Sequence, residues 1–340
     1  MQATFSALTL AAGGVAAMVS ASLVFCIVRS GWAWAMDLPG SRSLHTRPVP
    51  RTGGLALVVA VIAAGAAVQV FKGPWPWLET ILAAALCAIS LIDDKRGLPV
   101  TVRLAAHGGA ALLYVGILLA QGRGAGASLP VWLWLPLALL TIVAMTNFYN
   151  FMDGANGLAG GMALIGFGTF AIAAGAAQPA LATLCLALAG SALGFLLFNW
   201  RGRIFMGDGG SVPLGFLAAG LGLAGWLAGT WALWFPALVF APFIVDASVT
   251  LLRRQRRGER VSLAHRDHYY QRAVRMGTSH ARVALGEYAL MLVCAVCALA
   301  LPHFDRIGQA LIFATIALLF LLLMRLIDSR WQRHLAQQPH

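Results

Sequence analysis

The chain has 340 residues, of which 60% are hydrophobic and only 11% charged, and its mean hydropathy is +0.79. Soluble domains carry about 25% charged residues, so the composition excludes a soluble fold, and recurring apolar runs of about 20 residues predict membrane-spanning helices rather than barrel strands. The net charge of +12 would suggest nucleic acid in a soluble chain; here it is explained first by membrane orientation, and no nucleic-acid partner is expected.

In chain order, the first apolar run covers residues 5–28. It is too long for a signal-peptide core and has no basic start, so it reads as a retained span. Ten further spans are expected near 53–71, 77–92, 101–120, 131–149, 158–177, 179–198, 212–227, 231–252, 284–301 and 307–326. Gly and Pro mark the joints, as at Lys72-Gly-Pro-Trp-Pro and Gln178-Pro. Trp75, Trp77, Trp132, Trp134, Trp231 and Trp234 cluster at span ends, as interfacial belts require. The expected fold is all-α: one polytopic membrane domain over residues 1–340 with about 11 transmembrane helices. The five cysteines all lie in apolar runs and read as small buried hydrophobes.

With the N-terminus outside and the C-terminus cytoplasmic, 21 of the 24 Lys and Arg fall on the cytoplasmic side, leaving Lys72, Arg123 and Arg306 opposite. This asymmetry follows the positive-inside rule. Loops 29–52, 93–103, 146–157, 199–211 and 253–283 then share the cytoplasmic face, and they hold every polar motif. Polar groups gathered on one face suit an enzyme with a cytoplasmic substrate. A transporter of an anionic cytoplasmic solute, the alternative, places them nearer the bilayer midplane.

The densest motif is Asn147-Phe-Tyr-Asn150-Phe-Met-Asp153-Gly-Ala-Asn156-Gly, three amides and one carboxylate between apolar runs. Such groups are costly in a membrane and mark a functional site by default. Asp93-Asp94 ends the third span. Adjacent carboxylates repel, so one should resist ionisation unless a cation neutralises them. Mg²⁺, with one or two carboxylates plus waters and phosphates, would serve; Lys95 and Arg96 at an ordinary solvated helix end would also serve. Phe205-Met-Gly-Asp208-Gly-Gly-Ser opens a helix after a Gly-rich turn, which offers backbone N–H groups to an anion and a carboxylate to a metal, or makes a plain turn. The first loop brings His45 and Arg51 beside Gly53-Gly54. The late loop runs from a cluster of arginines to His265-Arg266-Asp-His268-Tyr-Tyr-Gln-Arg272. Arginine forks match phosphate oxygens, while anionic lipid headgroups would attract the same charge.

Four ordered motifs carry a resemblance: Asp-Asp-x-x-Gly-Leu at 93, Asn-x-x-Asn-x-x-Asp-Gly-x-x-Gly-Leu-Ala at 147, Phe-Met-Gly-Asp-x-Gly-Ser at 205, and the late histidine loop. Together they make the chain similar to the polyprenyl-phosphate N-acetylhexosaminyl-1-phosphate transferases. The resemblance implies a bacterial inner-membrane enzyme, its site facing the cytoplasm, that moves a sugar 1-phosphate from a UDP-N-acetylhexosamine to undecaprenyl phosphate and releases UMP. It implies Mg²⁺ as cofactor, with Mn²⁺ as a substitute, held by Asp208 and Asp94. Asp93, Asp94, Asp153 and His268 are the implied catalytic group; Asn147, Asn150, Asn156, His45, Arg51, His265, Arg266 and Arg272 are the expected substrate contacts. A homodimer is compatible with it. Two features depart from the family pattern. Asn156 stands where many members have a second aspartate, and the late loop has neither the His-x-His-His form of the GlcNAc transferases nor the three-histidine run of enzymes with peptide-bearing substrates. The nearest subgroup starts O-antigen units from GlcNAc, QuiNAc or FucNAc donors.

Overall fold

The computed structural model describes residues 5–30, 36–37, 48–123, 129–260, 263 and 265–337. Thirteen helices make up nearly all of it: α1 (Ala7–Ser30), α2 (Gly53–Val70), α3 (Trp77–Arg96), α4 (Val100–Ala120), α5 (Val131–Phe151), α6 (Leu158–Ala174), α7 (Pro179–Asn199), α8 (Asp208–Leu227), α9 (Trp234–Val239), α10 (Ala241–Arg256), α11 (Tyr269–Arg275), α12 (His280–Ala300) and α13 (Arg306–Ala336). Two short strands, β1 (Met36–Asp37) and β2 (Val49–Pro50), pair antiparallel before α2. Pro76, Pro99 and Pro130 precede α3, α4 and α5, and Pro179 opens α7. Proline suits these positions because its missing N–H is unpaired at a helix start anyway.

The protein is an all-α polytopic membrane protein, and each expected span apart from 231–252 falls largely on one long helix. Among the described residues, nine helices are long and apolar enough to cross a bilayer. α3 has the length as well but carries Glu79, Asp93, Asp94, Lys95 and Arg96. The span expected over 231–252 is broken at Phe240 into α9 and α10. Pro242 has no N–H to continue the ladder and its ring crowds the preceding turn, so the helix restarts there. α13 runs on to Ala336, past the end expected at 326. Cys87, Cys185 and Cys294 are buried as expected, whereas Cys26 is exposed.

α8 is the axis of the bundle, buried from Gly209 to Gly225, with α2, α3 and α5 against it. α1 packs on α7 where Gly190 and Gly194 meet the backbone of Gly13 and Ala17, the close approach that small residues allow between apolar helices. α13 contributes only Ile316, Phe320 and Trp331 to the interior. Between residues 311 and 323 its exposed surface is largely apolar (Leu311, Leu318, Leu321, Leu322) and suits lipid.

Candidate active site

The N-terminus of α8 organises the site. Gly207 precedes it at φ 69° and ψ 175°. A side chain there would be strained by this φ and would overlap the Arg51 carbonyl oxygen. The segment before α2 lies alongside: Phe205 N–H donates to Pro50 C=O at 2.8 Å, Gly53 N–H to Phe205 C=O at 3.0 Å, and Gly54 N–H to Met206 C=O at 2.8 Å. These bonds carry the first loop to the start of α8 and place Arg51 beside it.

The Arg51 guanidinium bridges two acidic motifs, with Nη2 at 2.9 Å from Asp208 Oδ1 and 3.1 Å from Asp94 Oδ1. Asp153 enters from the loop between α5 and α6 and accepts the Gly207 N–H at 3.1 Å. Burial, and then the charge of Asp208, push the Asp153 carboxyl well above the usual carboxylate range, against the pull of Arg51. Asp93 turns away from Asp94: its Oδ1 accepts the Leu98 N–H at 2.6 Å and its Oδ2 faces Arg103 at 3.4 Å. The repulsion expected within Asp93-Asp94 is thus relieved by Arg51 and Arg103. Asn150 donates to Ser211 Oγ at 2.9 Å, and Asn147 to the Val143 carbonyl at 2.7 Å.

These groups face a cavity of about 580 Å³ lined by Arg51, Asp93, Arg103, His107, Asn147, Asn150, Asp153 and Asp208, with His265, His268, Tyr270 and Gln271 on the other wall. Burial, and then the charges of His268 and Arg254, lower His265 to about 4, so it is neutral at pH 7. Tyr270 OH donates to the Phe151 carbonyl at 2.9 Å and ties α11 to the Asp153 loop. A second, apolar cavity of about 510 Å³ lies between α5, α8, α9 and α10, walled by Trp134, Leu137, Trp226 and Phe240. Phe148 lines both cavities.

Of the residues expected in the site, Asp93, Asp153, Asp208, Asn147, Asn150, Arg51, His265 and His268 line one cavity, and Asp94 stands directly behind Arg51. Three do not reach it. Asn156 lies against Gly202, its backbone N–H donating to His280 Nδ1 at 3.3 Å. Arg272 is buried against Asp328 of α13 at 3.1 Å and stacks on Tyr269, an ion pair that turns it away from a phosphate. Arg266 is not on the wall; its carbonyl accepts from Arg275. His45 lies outside the described residues. Much of the late loop's charge is neutralised internally. Arg254 pairs with Asp267 at 2.7 Å and Glu259 at 3.1 Å, and Arg257 with Glu259 at 2.7 Å. Burial works against the Asp267 charge, but Arg254 holds its carboxyl below the usual range.

Several residues that the sequence did not single out also shape the site. Arg103 and His107 line it from α4, Ser211 holds Asn150, and Asp246 of α10 lies 3.1 Å from His268 Nδ1. Asn199 joins two site loops, accepting the Gly157 N–H at 2.7 Å and donating to the Ile204 carbonyl at 2.8 Å. Asn199→Ala leaves both groups buried and unpaired, at about 1–3 kcal/mol each. Its unfolding midpoint in detergent falls by several degrees; an unchanged midpoint in a thermal-shift measurement would refute that bridging role.

Among the described residues no three His, Cys, Asp or Glu side chains form a ready-made metal cluster. Mg²⁺ does not require one, since it keeps waters and takes phosphate oxygens beside one or two carboxylates. Asp208 and Asp94 are hard oxygen donors held to one cation, the Arg51 guanidinium, and the adjoining cavity has room for a diphosphate. The donor set therefore fits the ion.

Residues 76–226 match the family described as glycosyl transferase family 4. The chain is 28% identical over 299 residues to the probable undecaprenyl-phosphate N-acetylglucosaminyl 1-phosphate transferase of Bacillus subtilis (strain 168), covering 85% of this chain and 82% of that one. It is 31% identical to the decaprenyl-phosphate N-acetylglucosaminephosphotransferase of Mycolicibacterium smegmatis (strain ATCC 700084 / mc(2)155), covering 90% and 84%. It is 36% identical over 223 residues to the phospho-N-acetylmuramoyl-pentapeptide-transferase of Synechococcus sp. (strain JA-3-3Ab), covering 59% and 63%.

Proposed function

Because the chain belongs to glycosyl transferase family 4, among the polyprenyl-phosphate N-acetylhexosamine-1-phosphate transferases, we propose that it moves an N-acetylhexosamine 1-phosphate from a UDP-sugar to undecaprenyl phosphate. UMP leaves, and the lipid-linked sugar begins an O-antigen or related envelope glycan. The donor is a GlcNAc, QuiNAc or FucNAc nucleotide, the enzyme sits in the bacterial inner membrane, and the site faces the cytoplasm. The observation that carries this reading is the gathering of Arg51, Asp93, Asp153, Asp208 and His268, from five separate chain segments, around one cavity beside an apolar groove.

In this reaction an oxygen of the lipid phosphate attacks the β-phosphorus of the UDP-sugar, and the bond from that phosphorus to UMP breaks. The second pKa of a phosphate monoester is about 6, so the attacking group is largely dianionic at neutral pH and needs little help from a base. Positioning and charge stabilisation are therefore the main tasks of the protein. Asn147 and Asn150 hold the floor of the cavity, Arg103 and Arg51 offset its carboxylates, and His268 faces the donor from the opposite wall. The apolar groove takes the first isoprene units of the acceptor, with Phe148 at the junction. Asp208 and Asp94 would hold Mg²⁺, which neutralises charge on the departing UMP when bound.

Membranes supplied with UDP-GlcNAc and undecaprenyl phosphate should release UMP. EDTA should reduce the release to background and excess Mg²⁺ should restore it. Release that is indifferent to EDTA would remove the metal. A panel of UDP-N-acetylhexosamines yielding no UMP under any condition would remove the transferase.

A further inference from the structure

Asp246 lies inside α10, buried, on a stretch that reads as membrane span. Its carboxylate collects three donors and one histidine nitrogen. Oδ1 accepts the Thr250 hydroxyl at 3.1 Å and the Tyr269 N–H at 3.0 Å, and lies 3.1 Å from His268 Nδ1. Oδ2 accepts the Tyr270 N–H at 3.2 Å. Asp246 thus does two things from another helix: it satisfies the first free N–H groups of α11, and it meets the imidazole at that helix's start.

We propose that Asp246 is a positioning residue for His268, fixing the proton on Nδ1 so that Nε2 is the atom presented to the cavity. Two backbone amides and a hydroxyl already donate to this carboxylate, which sets it as an acceptor, and the nitrogen facing an acceptor is the one to carry hydrogen. Packing holds the ring plane. His268 is 2% exposed, and its ring lies nearly parallel to those of Phe151, with centroids 5.9 Å apart, and Tyr270, at 6.1 Å. A carboxylate behind an imidazole is a general means of selecting its tautomer and orientation. The same contact couples the ring to the Asp153 loop, since α11 reaches that loop through Tyr270.

This rests on His268 facing the donor, so the test separates the two claims. Nitrogen-15 histidine-labelled protein in nanodiscs, with the His268 signal assigned by its loss in His268→Gln, should show a protonated Nδ1. A proton on Nε2 alone overturns the proposal, whether or not any variant folds and whether or not UMP is released. Asp246→Asn, which can turn its amide N–H toward the ring, should move the proton toward Nε2. It should also lower kcat/KM by about 10- to 100-fold, the size of loss seen when the partner that orients a metal-bound histidine is removed. In a His268→Gln background the same substitution should cost less than about twofold, because residues acting as one unit are not additive. Losses that multiply would make Asp246 a support for α11 alone. Wild-type protein with the expected tautomer but no UMP release would leave Asp246 in place and refute the transferase reading.

Discussion

Asp208→Asn reduces UMP release below detection even at saturating Mg²⁺, a fall of more than about 10³-fold, or ~4 kcal/mol of transition-state stabilisation. The substitution keeps the shape of the side chain but removes its charge. It sets an amide against the Arg51 guanidinium, now 2.9 Å from an oxygen. It also takes one of two hard oxygen donors from the place where a divalent ion would sit. Arg51 keeps Asp94 at 3.1 Å and Asp153 keeps the Gly207 N–H, so the local backbone should survive, and detergent-extracted protein should elute as wild type does. Turnover near the wild-type value in this variant would remove Asp208 from the metal role and leave it as a partner of Arg51.

Gly54→Ala, one methyl group added at the seam between α2 and the start of α8, should be strongly damaging. The new Cβ would overlap the backbone of Gly209 and Gly210 at the start of α8. Backbone cannot swing aside as a flexible side chain can. Overpacking a tight core typically costs 1–3 kcal/mol, and here the shift would fall on the turn that aims Asp208. The expected result is a lower yield of folded protein and a loss of at least about tenfold in kcat in the fraction that folds. Gly168→Ala, where nothing lies within 4 Å of the new atom, is the matched control and should be neutral or mildly stabilising. Equal behaviour of the two variants would refute the close approach of α2 and α8.

The membrane architecture was largely legible in the order of residues, because apolar runs long enough to cross a bilayer have few other uses. Asp93, Asp94, Asp153 and Asp208 were legible for the converse reason: carboxylates at the ends of such runs need an explanation. The remaining site residues depend on partners distant in the chain. Asn199 reads as the end of a span until Gly157, 42 residues away, is seen to need an acceptor. Arg272 reads as a phosphate ligand until Asp328, 56 residues on, is seen to hold it. Asp246 could have been noticed as a charge within an apolar stretch, but its link to His268 is tertiary. Asn156 belongs to the right motif, yet the turn after Asp153 points it toward Gly202.

Phe148, at the seam between a polar chamber and a greasy one, would on the proposed reading separate two supply routes. A nucleotide would come by three-dimensional diffusion and be counted in bulk concentration, whereas a long-chain carrier would come sideways and be counted as a mole fraction of the bilayer plane. Padding the vesicles with inert phospholipid would then starve one substrate and leave the other untouched. The second reservoir obeys surface-dilution kinetics, and no concentration per litre describes it.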